Sequence, residues 1–324
     1  MSGAVPRQRG LTLVELLVAL ALQGVLLLML VQLYSSGSGI VRYQAEASSI
    51  QDEASMILSL ITFDVRGSGF AGCRSLDEYS PRIIAEDFAG FAGPADTLTV
   101  HHQGSGWSPP AGFSHGPGTD VLRVRYAGAG TYLTGNMASE NANIQVAGNP
   151  GGLAADDLVL ITDCQKSDIF RATSVSSGSG TVTIAHANSN NTDNRLSKKY
   201  RANTQVFGLV EVNYFVASRG GVGGLYRQQG GAAPVLLSRR VEGLALAAVA
   251  DADGIPVGLS AGVLFASEAP LATAPVALDF DGREVNGGSQ ADHRIRRAHW
   301  GFVNLRNNVP WNHTPPYPPG ANRA

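Results

Sequence analysis

The feature that most constrains this chain is a long apolar segment close to its N-terminus. Leu11–Val31 is apolar except at four positions, Thr12, Glu15, Gln23 and Gly24. As an α-helix rising 1.5 Å per residue, these roughly 21 positions span about 32 Å, enough to cross a bilayer core of about 30 Å. The sequence therefore predicts a membrane-crossing helix at the start of the chain.

The flanks of this segment indicate its orientation. Residues 1–10, MSGAVPRQRG, are short and polar and contain Arg7 and Arg9, whereas Glu15 is the only charged side chain from Leu11 to Val41. Cations on the N-terminal side place that end in the cytoplasm by the positive-inside rule. We therefore expect a single-pass inner-membrane protein whose remaining chain forms a periplasmic head.

Three interpretations of the apolar segment compete. A secretory signal needs a short apolar stretch and an A-x-A-like cleavage site. Ala19-Leu20-Ala21 offers such a site, but the apolar run continues to Val31. A plain membrane anchor fits the length but leaves Glu15 unexplained, because an unpaired carboxylate inside a membrane segment costs several kcal/mol.

The third interpretation accounts for Glu15. The string GLTLVELL, residues 10–17, resembles the processing site of type IV prepilins, with Leu11 where Phe or Met is more usual. The resemblance implies that a prepilin peptidase cuts after Gly10 and N-methylates Leu11. Glu15 then becomes the fifth mature residue. In a staggered helix bundle its carboxylate would meet the Leu11 ammonium of another subunit and fix the register of assembly.

A second helical pattern follows the membrane segment. Ser35–Gly39 (SSGSG) interrupts the first pattern, either as a juxtamembrane linker or as a softened point within one helix, since each glycine costs about 1 kcal/mol relative to Ala. Beyond it, apolar residues recur at spacings of three and four, which predicts one helix face packed onto the head. The residues of this face are Ile40, Tyr43, Ala47, Ile50, Ala54, Ile57 and Ile61.

The rest of the chain is typical of a β-rich body. A high glycine content (39 residues) and a low charged fraction (15%) favour tight turns between strands. Alternating patterns predict strands at Asp120–Tyr126, Asp157–Thr162, Asp168–Val175, Thr181–His186, Val206–Val216, Val241–Val249, Ala274–Phe280 and Ile295–Leu305. The stretches 89–118 and 259–289 are expected to be loops.

The fold class predicted is α+β, with one long N-terminal transmembrane and amphipathic helix followed by an antiparallel, loop-rich β head. The expected segments are a leader (1–10), a transmembrane or filament-core half of the helix (11–34), an amphipathic half (35–66), the head (67–309) and a flexible tail (310–324).

Five strings in the body resemble the PilW family of minor pilins, in the same order along the chain. They are Asp64–Cys73 (DVRGSGFAGC), Asp156–Cys164 (DDLVLITDC), Tyr214 with Leu225-Tyr226-Arg227, Val241-Glu242-Gly243, and Arg294–Arg297 (RIRR) with Leu305-Arg306-Asn307. The resemblance implies a type IV pilin-like fold and a minor pilin in or near the pilus tip. Such a protein primes assembly with other minor pilins and the major pilin, displays a PilY-type adhesin, and supports piliation, twitching and adhesion.

The two cysteines, Cys73 and Cys164, are compatible with two buried thiols or with one disulfide. Export into an oxidising compartment favours the disulfide, and the PilW resemblance implies the same Cys73–Cys164 bridge.

Nothing in the sequence predicts an enzyme, a cofactor or a metal site. His101, His102 and His115 lie in a Gly/Pro/Ser-rich region without metal-ligand spacing, and no phosphate-binding or nucleophile-elbow motif occurs. A net charge of −2 gives no reason to expect nucleic-acid binding. Arg294 and Arg296 share one strand face, which favours pairing with acidic neighbours.

Two alternative functions remain open from the sequence. A J-class minor pseudopilin of a type II secretion system shares the leader and the helix. An exported binding protein or enzyme that carries a pilin-type leader is an alternative of another class.

Overall fold

A computed structural model describes residues 12–73, 76, 79–178, 180–272, 274–286 and 291–308, and the side chains at 35 and 36 lie outside this description. The predicted leader, the cleavage site at Gly10 and Leu11, and the predicted tail at 310–324 lie outside the described residues.

A single helix, α1, runs from Leu13 to Gly67 over 55 residues. At 1.5 Å per residue it is about 83 Å long. The helix continues through Ser35–Gly39, so the interpretation of this stretch as a linker is wrong. Gly37 and Gly39 have no atom within 4 Å of where a Cβ would stand, so no close packing requires a glycine there.

Seventeen strands follow the helix among the described residues. They are β1 (Arg82–Ile83), β2 (Leu98–His101), β3 (Ser114–His115), β4 (Val121–Tyr132), β5 (Ile144–Val146), β6 (Leu158–Thr162), β7 (Ser167–Arg171), β8 (Ser174–Gly178), β9 (Thr181–Ala185), β10 (Gln205–Arg219), β11 (Val222–Gln229), β12 (Val235–Ser238), β13 (Val241–Ala250), β14 (Pro256–Pro270), β15 (Leu278–Phe280), β16 (Arg283–Val285) and β17 (Arg294–Asn304).

The described strands form four sheets. The largest has the order β1-β7-β6-β10-β11-β12, with β3 and β4 also paired to β10 and β2 paired to β4. A second sheet has the order β13-β14-β17, a third β5-β9-β8, and β15 pairs with β16. β1 and β7 pair in parallel, and the other described pairs are antiparallel. The predicted fold, a long apolar helix followed by a mostly antiparallel head, is confirmed.

The main core lies where α1 meets two sheets. The helix packs against β4 of the largest sheet and against β14 and β17 of the second sheet. Its buried side chains share one cluster with Val124, Tyr214, Val263 and Phe265. Most of the apolar area that stabilises the helix against the head therefore lies on its C-terminal half.

Two expected loops contain strands. The stretch 259–289 includes most of β14, the central strand of the second sheet, and 89–118 includes β2 and β3. In β14 the side chains from Pro256 to Ser267 are buried or half-buried in succession, so polar residues do not alternate with apolar ones. Its glycines, alanines and serines also look like a loop in sequence.

Two predicted strands are wrong in extent. Asp168–Val175 is divided between β7 and β8, which belong to different sheets, and the chain turns at Ala172 and Thr173. Of the predicted strand Ala274–Phe280, only Leu278–Phe280 forms a strand, β15. No residue type marks this turn, because Ala172 and Thr173 occur in strands as well as at corners.

Candidate functional site in the long helix and its anchorage

The first turn of α1 is closed by Thr12 and Glu15. The Thr12 backbone N–H and its hydroxyl both donate to Glu15 Oε2 at 2.9 Å, and the Glu15 N–H donates to Thr12 Oγ1 at 3.3 Å. This reciprocal pattern is a capping box, which satisfies helix N–H groups that have no partner within the helix. The Glu15 carboxylate is therefore held by its own first turn in the single chain.

The N-terminal half of α1 presents apolar side chains on every side. From Leu13 to Tyr34 its large apolar residues are between 50% and 80% exposed. The helix is long and apolar enough to cross a membrane. Because so large an apolar surface is unfavourable in water, this half requires a lipid or a protein surrounding that the single chain does not supply.

The head covers only part of the predicted packing face of the helix. Ile50, Ala54, Ile57 and Ile61 are at most 1% exposed and belong to the main core. Ala47 is half-buried.

For Ile40 and Tyr43 the prediction of helix–head packing is wrong, because these residues are 58% and 40% exposed. Ile40 lies about 15 Å along the helix axis from Ile50. The helical spacing of apolar residues therefore extends beyond the part of the helix that the head covers.

A buried carboxylate fixes the C-terminal end of α1. Asp64 is 0% exposed. It accepts hydrogen bonds from the Tyr126 hydroxyl at 2.8 Å, from the Tyr214 hydroxyl, and from Arg227 Nε and Nη2 at 2.9 and 3.2 Å. Four donors from β4, β10 and β11 thus converge on one side chain of the helix, and Val65 beside it is also fully buried.

The charge of the Asp64 carboxylate is balanced by hydrogen-bond donors within this cluster. Burial, followed by the hydrogen bond to Asp64, raises the pKa of Tyr126 and of Tyr214 above the ordinary value. Both hydroxyls therefore stay protonated and continue to donate. A buried carboxylate costs several kcal/mol in desolvation unless it is paired and hydrogen-bonded, and here Arg227 and the two hydroxyls supply that compensation.

In the sequence, Asp64 stands out only as the first residue of the string Asp64–Cys73. The available signal was its position three residues after Ile61 and seven after Ile57, on the same helix face as these core residues. A charged residue on an apolar face requires a partner. The partner could not be named, because Tyr214 and Arg227 are 150 and 163 positions away along the chain.

A second set of polar contacts attaches the helix to the head near the beginning of its buried half. Arg240, between β12 and β13, donates from Nη1 to Ser49 Oγ at 2.6 Å and to Glu53 Oε2 at 3.4 Å. Its Nη2 lies 3.5 Å from Glu46 Oε2. These contacts and the Asp64 cluster hold the helix at both ends of its docked region.

The last described residues close the end of α1. Asn307 Nδ2 donates to the carbonyls of Arg66 and Ser68, both at 3.1 Å, where helix carbonyls otherwise lack partners. Gly69 follows with φ of +74°, and a Cβ there would stand 2.0 Å from Asn308 Oδ1. Only glycine fits this backbone conformation beside Asn308 without strain.

A disulfide joins Cys73 and Cys164, with 5.5 Å between their Cα atoms. It ties the segment after the helix to the turn between β6 and β7. The bridge implied by the family resemblance is therefore present in the structure.

The basic cluster near the C-terminus is paired, as its alternation predicted. Arg294 and Arg296 both contact Glu242. Arg296 Nε lies 2.9 Å from Glu242 Oε2, and Arg296 Nη1 lies 2.6 Å from Asp292 Oδ1. Hydrogen bonds from Arg296 lower the pKa of Asp292 to about 2.

The histidines do not converge. His101 Nδ1 lies 3.0 Å from the Ser105 carbonyl, and His115 Nε2 lies 3.1 Å from the Thr119 hydroxyl. Within the part of the chain that the structure describes, no group of three or more His, Cys, Asp or Glu side chains is arranged to hold a metal ion.

Residues quoted from separate strings for the PilW resemblance meet in space. Asp64, Tyr214 and Arg227 form the buried cluster, and Glu242 pairs with Arg294 and Arg296. Asn307 of the last string reaches the carbonyl of Arg66 in the first.

Comparison with known proteins adds three findings. The family described as "Prokaryotic N-terminal methylation motif" matches residues 5–31. A search of the curated proteins finds no match. Among solved structures, a type IV-like pilin from Thermus thermophilus aligns with a TM-score of 0.35 and 9% identity, over 81% of this chain and 100% of that chain.

The motif implies processing by a prepilin peptidase and a context of pilus assembly, and with the apolar helix it is consistent with membrane anchoring and pilus association. Residues 5–31 thus carry a prokaryotic N-terminal methylation motif, and this motif overlaps the start of a helix that is long and apolar enough to cross a membrane.

Proposed function

We propose that this chain is a PilW-like minor pilin that helps to prime type IV pilus assembly and is incorporated in or near the pilus tip. It inserts in the inner membrane with its head in the periplasm. Prepilin peptidase cuts it after Gly10 and methylates Leu11, and the mature chain then passes into the pilus at the cell surface. Its partners there are other minor pilins, the major pilin and a PilY-type adhesin.

One observation carries this proposal. The methylation motif overlaps a helix whose N-terminal half is exposed and apolar all round, while its C-terminal half is packed against the head. A half-helix without partners in its own chain is suited to both successive environments of a pilin, first lipid and then the helices of neighbouring subunits. The role proposed is structural and not enzymatic.

The PilW assignment has further support. The strings that resemble this family contain the groups that fasten the helix, namely Asp64 with Tyr214 and Arg227, and the cap from Asn307. The shared residues therefore coincide with a mechanical junction between helix and head.

Glu15 has a defined part in the proposal. In the single chain its carboxylate is satisfied by Thr12. In the filament it exchanges this contact for the Leu11 ammonium of a neighbouring subunit. Two opposite charges within an apolar bundle attract strongly and are each costly alone, so they select one axial register.

The first experiment measures processing. The intact mass and N-terminal sequence are determined for protein from membranes with and without the prepilin peptidase. A mature chain that starts at N-methylated Leu11 only when the peptidase is present is the expected result. A chain that starts after Ala21, or an uncut chain in the presence of the peptidase, contradicts the proposal.

The second experiment separates pilus assembly from secretion. Deletion of the gene is expected to abolish or sharply reduce surface pili and twitching while type II secretion continues. Normal piliation together with lost secretion would instead identify a J-class pseudopilin. A deletion that affects neither would favour an exported binding protein or enzyme.

A further inference from the structure

The strand β17 has a free edge. It lies at the end of the β13-β14-β17 sheet, and β14 is its one partner among the described strands. Its last seven residues, Ala298–Asn304, pair with β14 one to one without a shift of register. At about 3.3 Å per residue, this regular stretch is about 23 Å long. The side of β17 that faces away from β14 is therefore a long row of backbone groups.

The hydrogen bonds of the sheet identify which groups lie on this free edge. Asp120, from outside the sheet, donates its N–H to the Leu244 carbonyl and accepts from the Leu246 N–H, both at 2.8 Å. Even-numbered residues in this part of β13 therefore point away from β14, since backbone groups alternate sides along an antiparallel strand. Followed through both registers, the alternation gives the residues of β17 whose N–H and C=O groups point outward. They are Ala298, Trp300, Phe302 and Asn304.

The two edges of this sheet differ in protection. On β13, Asp120 occupies the place of a neighbouring strand for Leu244 and Leu246. On β17, no described residue bonds to the outward backbone groups of 298–304. Edge strands are usually protected by charged residues, proline or a bulge. The sequence of 298–304, AHWGFVN, has no Lys, Arg, Asp, Glu or Pro, and its pairing has no bulge.

The large side chains of this stretch leave the edge uncovered. Trp300 and Phe302 are 53% and 56% exposed. A Cβ at Gly262 would lie 2.5 Å from the Trp300 ring, and a Cβ at Gly258 would lie 2.6 Å from the Phe302 ring. Both rings therefore lie over the glycines of β14 and extend away from the free edge. They form an apolar surface beside which the side chains of an added strand would pack.

Arg297 adds a charge to the same edge. It precedes Ala298, so its side chain lies on the opposite, helix-facing side of the strand. Arg294 and Arg296 have acidic partners, whereas Arg297 forms no ion pair with any described residue. An acidic residue on that side of an added strand would supply its partner.

The direction of β17 argues against a second copy of this chain as the occupant. A Cβ built at Gly301 lies 3.5 Å from the Leu58 side chain, and Asn307 donates to the Arg66 carbonyl. The strand and α1 thus progress in the same direction. Two β17 strands paired antiparallel, the commoner arrangement of strands, would point their two helices in opposite directions. Such a pair is incompatible with two chains anchored in one membrane.

We propose that the free edge of β17 binds an extended segment of a different protein, which adds to the β13-β14-β17 sheet as an antiparallel strand. Backbone hydrogen bonds to Ala298, Trp300, Phe302 and Asn304 supply the affinity, as in other cases of strand addition. The segment carries apolar side chains on the side of Trp300 and Phe302 and an acidic residue on the side of Arg297. This contact belongs to the head and goes beyond the assembly role proposed above.

The first test uses a designed peptide as the probe. The peptide TVEVTVT has valine on one side of the strand and glutamate on the other, and it carries fluorescein at its N-terminus. It is titrated into the full chain in detergent micelles, and fluorescence anisotropy is measured. Saturable binding is expected, and an absence of binding overturns the proposal.

Methylation of the peptide backbone tests the hydrogen bonds. In the antiparallel pair the valine N–H groups face β17, because directly opposite residues share a side of the sheet. Methylating the three valine nitrogens should weaken binding about tenfold or more. Methylating the nitrogens of the glutamate and of the two threonines that follow valine alters N–H groups that point away, and binding should stay within about twofold. Equal losses from the two peptides overturn the proposal.

Variants of the protein test the side chains. Phe302→Ala should weaken binding of the probe about fivefold. The matched control is Val249→Ala, which shortens a side chain that is 43% exposed on β13, at the other edge of the same sheet, and it should leave binding unchanged. The full chain should prefer the probe over a version with glutamine in place of glutamate, and Arg297→Ala should abolish this preference. A preference that survives Arg297→Ala contradicts the proposed orientation of the added strand.

Hydrogen exchange tests the edge without any variant. In the free chain the amides of Trp300 and Phe302 should exchange rapidly, and those of Gly301 and Val303 slowly, because only the latter bond to β14. Saturating probe should slow Trp300 and Phe302 about tenfold or more. If both amides are already slow in the monomeric chain, or become slow through self-association, the occupant is the chain itself or a second copy, and the proposal is overturned. None of these measurements depends on piliation, so they leave the proposed function to its own tests.

Discussion

The two halves of α1 share one continuous backbone and have opposite surroundings. From Leu13 to Tyr34 the large apolar side chains are at least half exposed. From Ile50 to Val65 the inward-facing side chains are almost completely buried. Apolar composition therefore does not reveal whether a helix face is satisfied by its own chain or by other molecules, and only the position of the head along the helix decides this.

The difference also predicts two kinds of variant. A change in the buried half should lower the stability of the head, because its contacts lie within the chain. A change in the exposed half should leave the head intact and affect insertion or assembly.

The largest expected effect in the buried half is at Asp64. Asp64→Ala leaves Arg227 without its buried partner and removes the acceptor for two tyrosine hydroxyls, so the free energy of unfolding should fall by about 3–5 kcal/mol. Urea unfolding of the full chain in detergent, followed by tryptophan fluorescence, measures this loss. Asp52→Ala, an exposed carboxylate on the same helix, should change stability by less than about 0.5 kcal/mol. Equal effects of the two variants would mean that the cluster does not anchor the helix.

The disulfide lies beyond the helix, and its removal tests how much this covalent link stabilises the head. Its removal in the double variant Cys73→Ser with Cys164→Ser opens a loop of 91 residues. On the chain-entropy account, stability should fall by roughly 4.6 kcal/mol. The same unfolding assay under non-reducing conditions measures this change, and a reducing agent should destabilise the unmodified chain but leave the double variant unaffected.

Ile57 and Ile40 give the sharpest comparison of the two halves, because the residue type is the same. Ile57→Ala creates a cavity between α1 and the sheets and should lower the free energy of unfolding by about 2–5 kcal/mol. Ile40→Ala removes an exposed side chain and should change it by less than about 0.5 kcal/mol. A comparable loss from Ile40→Ala would show that the head covers more of the helix than described.

The smallest effect on stability, and the largest on assembly, is expected at Glu15. Glu15→Gln retains a side chain able to complete the capping box but removes the charge, so pili should be lost while head stability stays within about 0.5 kcal/mol of normal. Thr12→Ala removes the cap at about 1 kcal/mol of local helix stability and keeps the charge, and it should still assemble. Electron microscopy of surface pili distinguishes them. Assembly by Glu15→Gln but not by Thr12→Ala would assign Glu15 a capping role only.

The sequence allowed the helix, its membrane-length half and the face from Ile50 to Ile61 to be predicted, because periodicity and hydrophobicity are local properties. It did not show where docking begins, since Ile40 and Tyr43 continue the same apolar stripe. The partners of Asp64 were equally out of reach, because they depend on which strands lie beside the end of the helix. β14 was missed because its buried small residues carry no alternation.

The cap that Asn307 places on the end of α1 joins the first and last elements of the described chain at one point. A tensile load transmitted along α1 consequently enters the head where the helix meets β4 and β10 through Asp64 and where the segment after β17 is attached. The load is therefore shared between the largest sheet, through β4 and β10, and the second sheet, through the segment after β17. For the pilus subunit proposed above, this arrangement would distribute a pulling force over both sheets of the head.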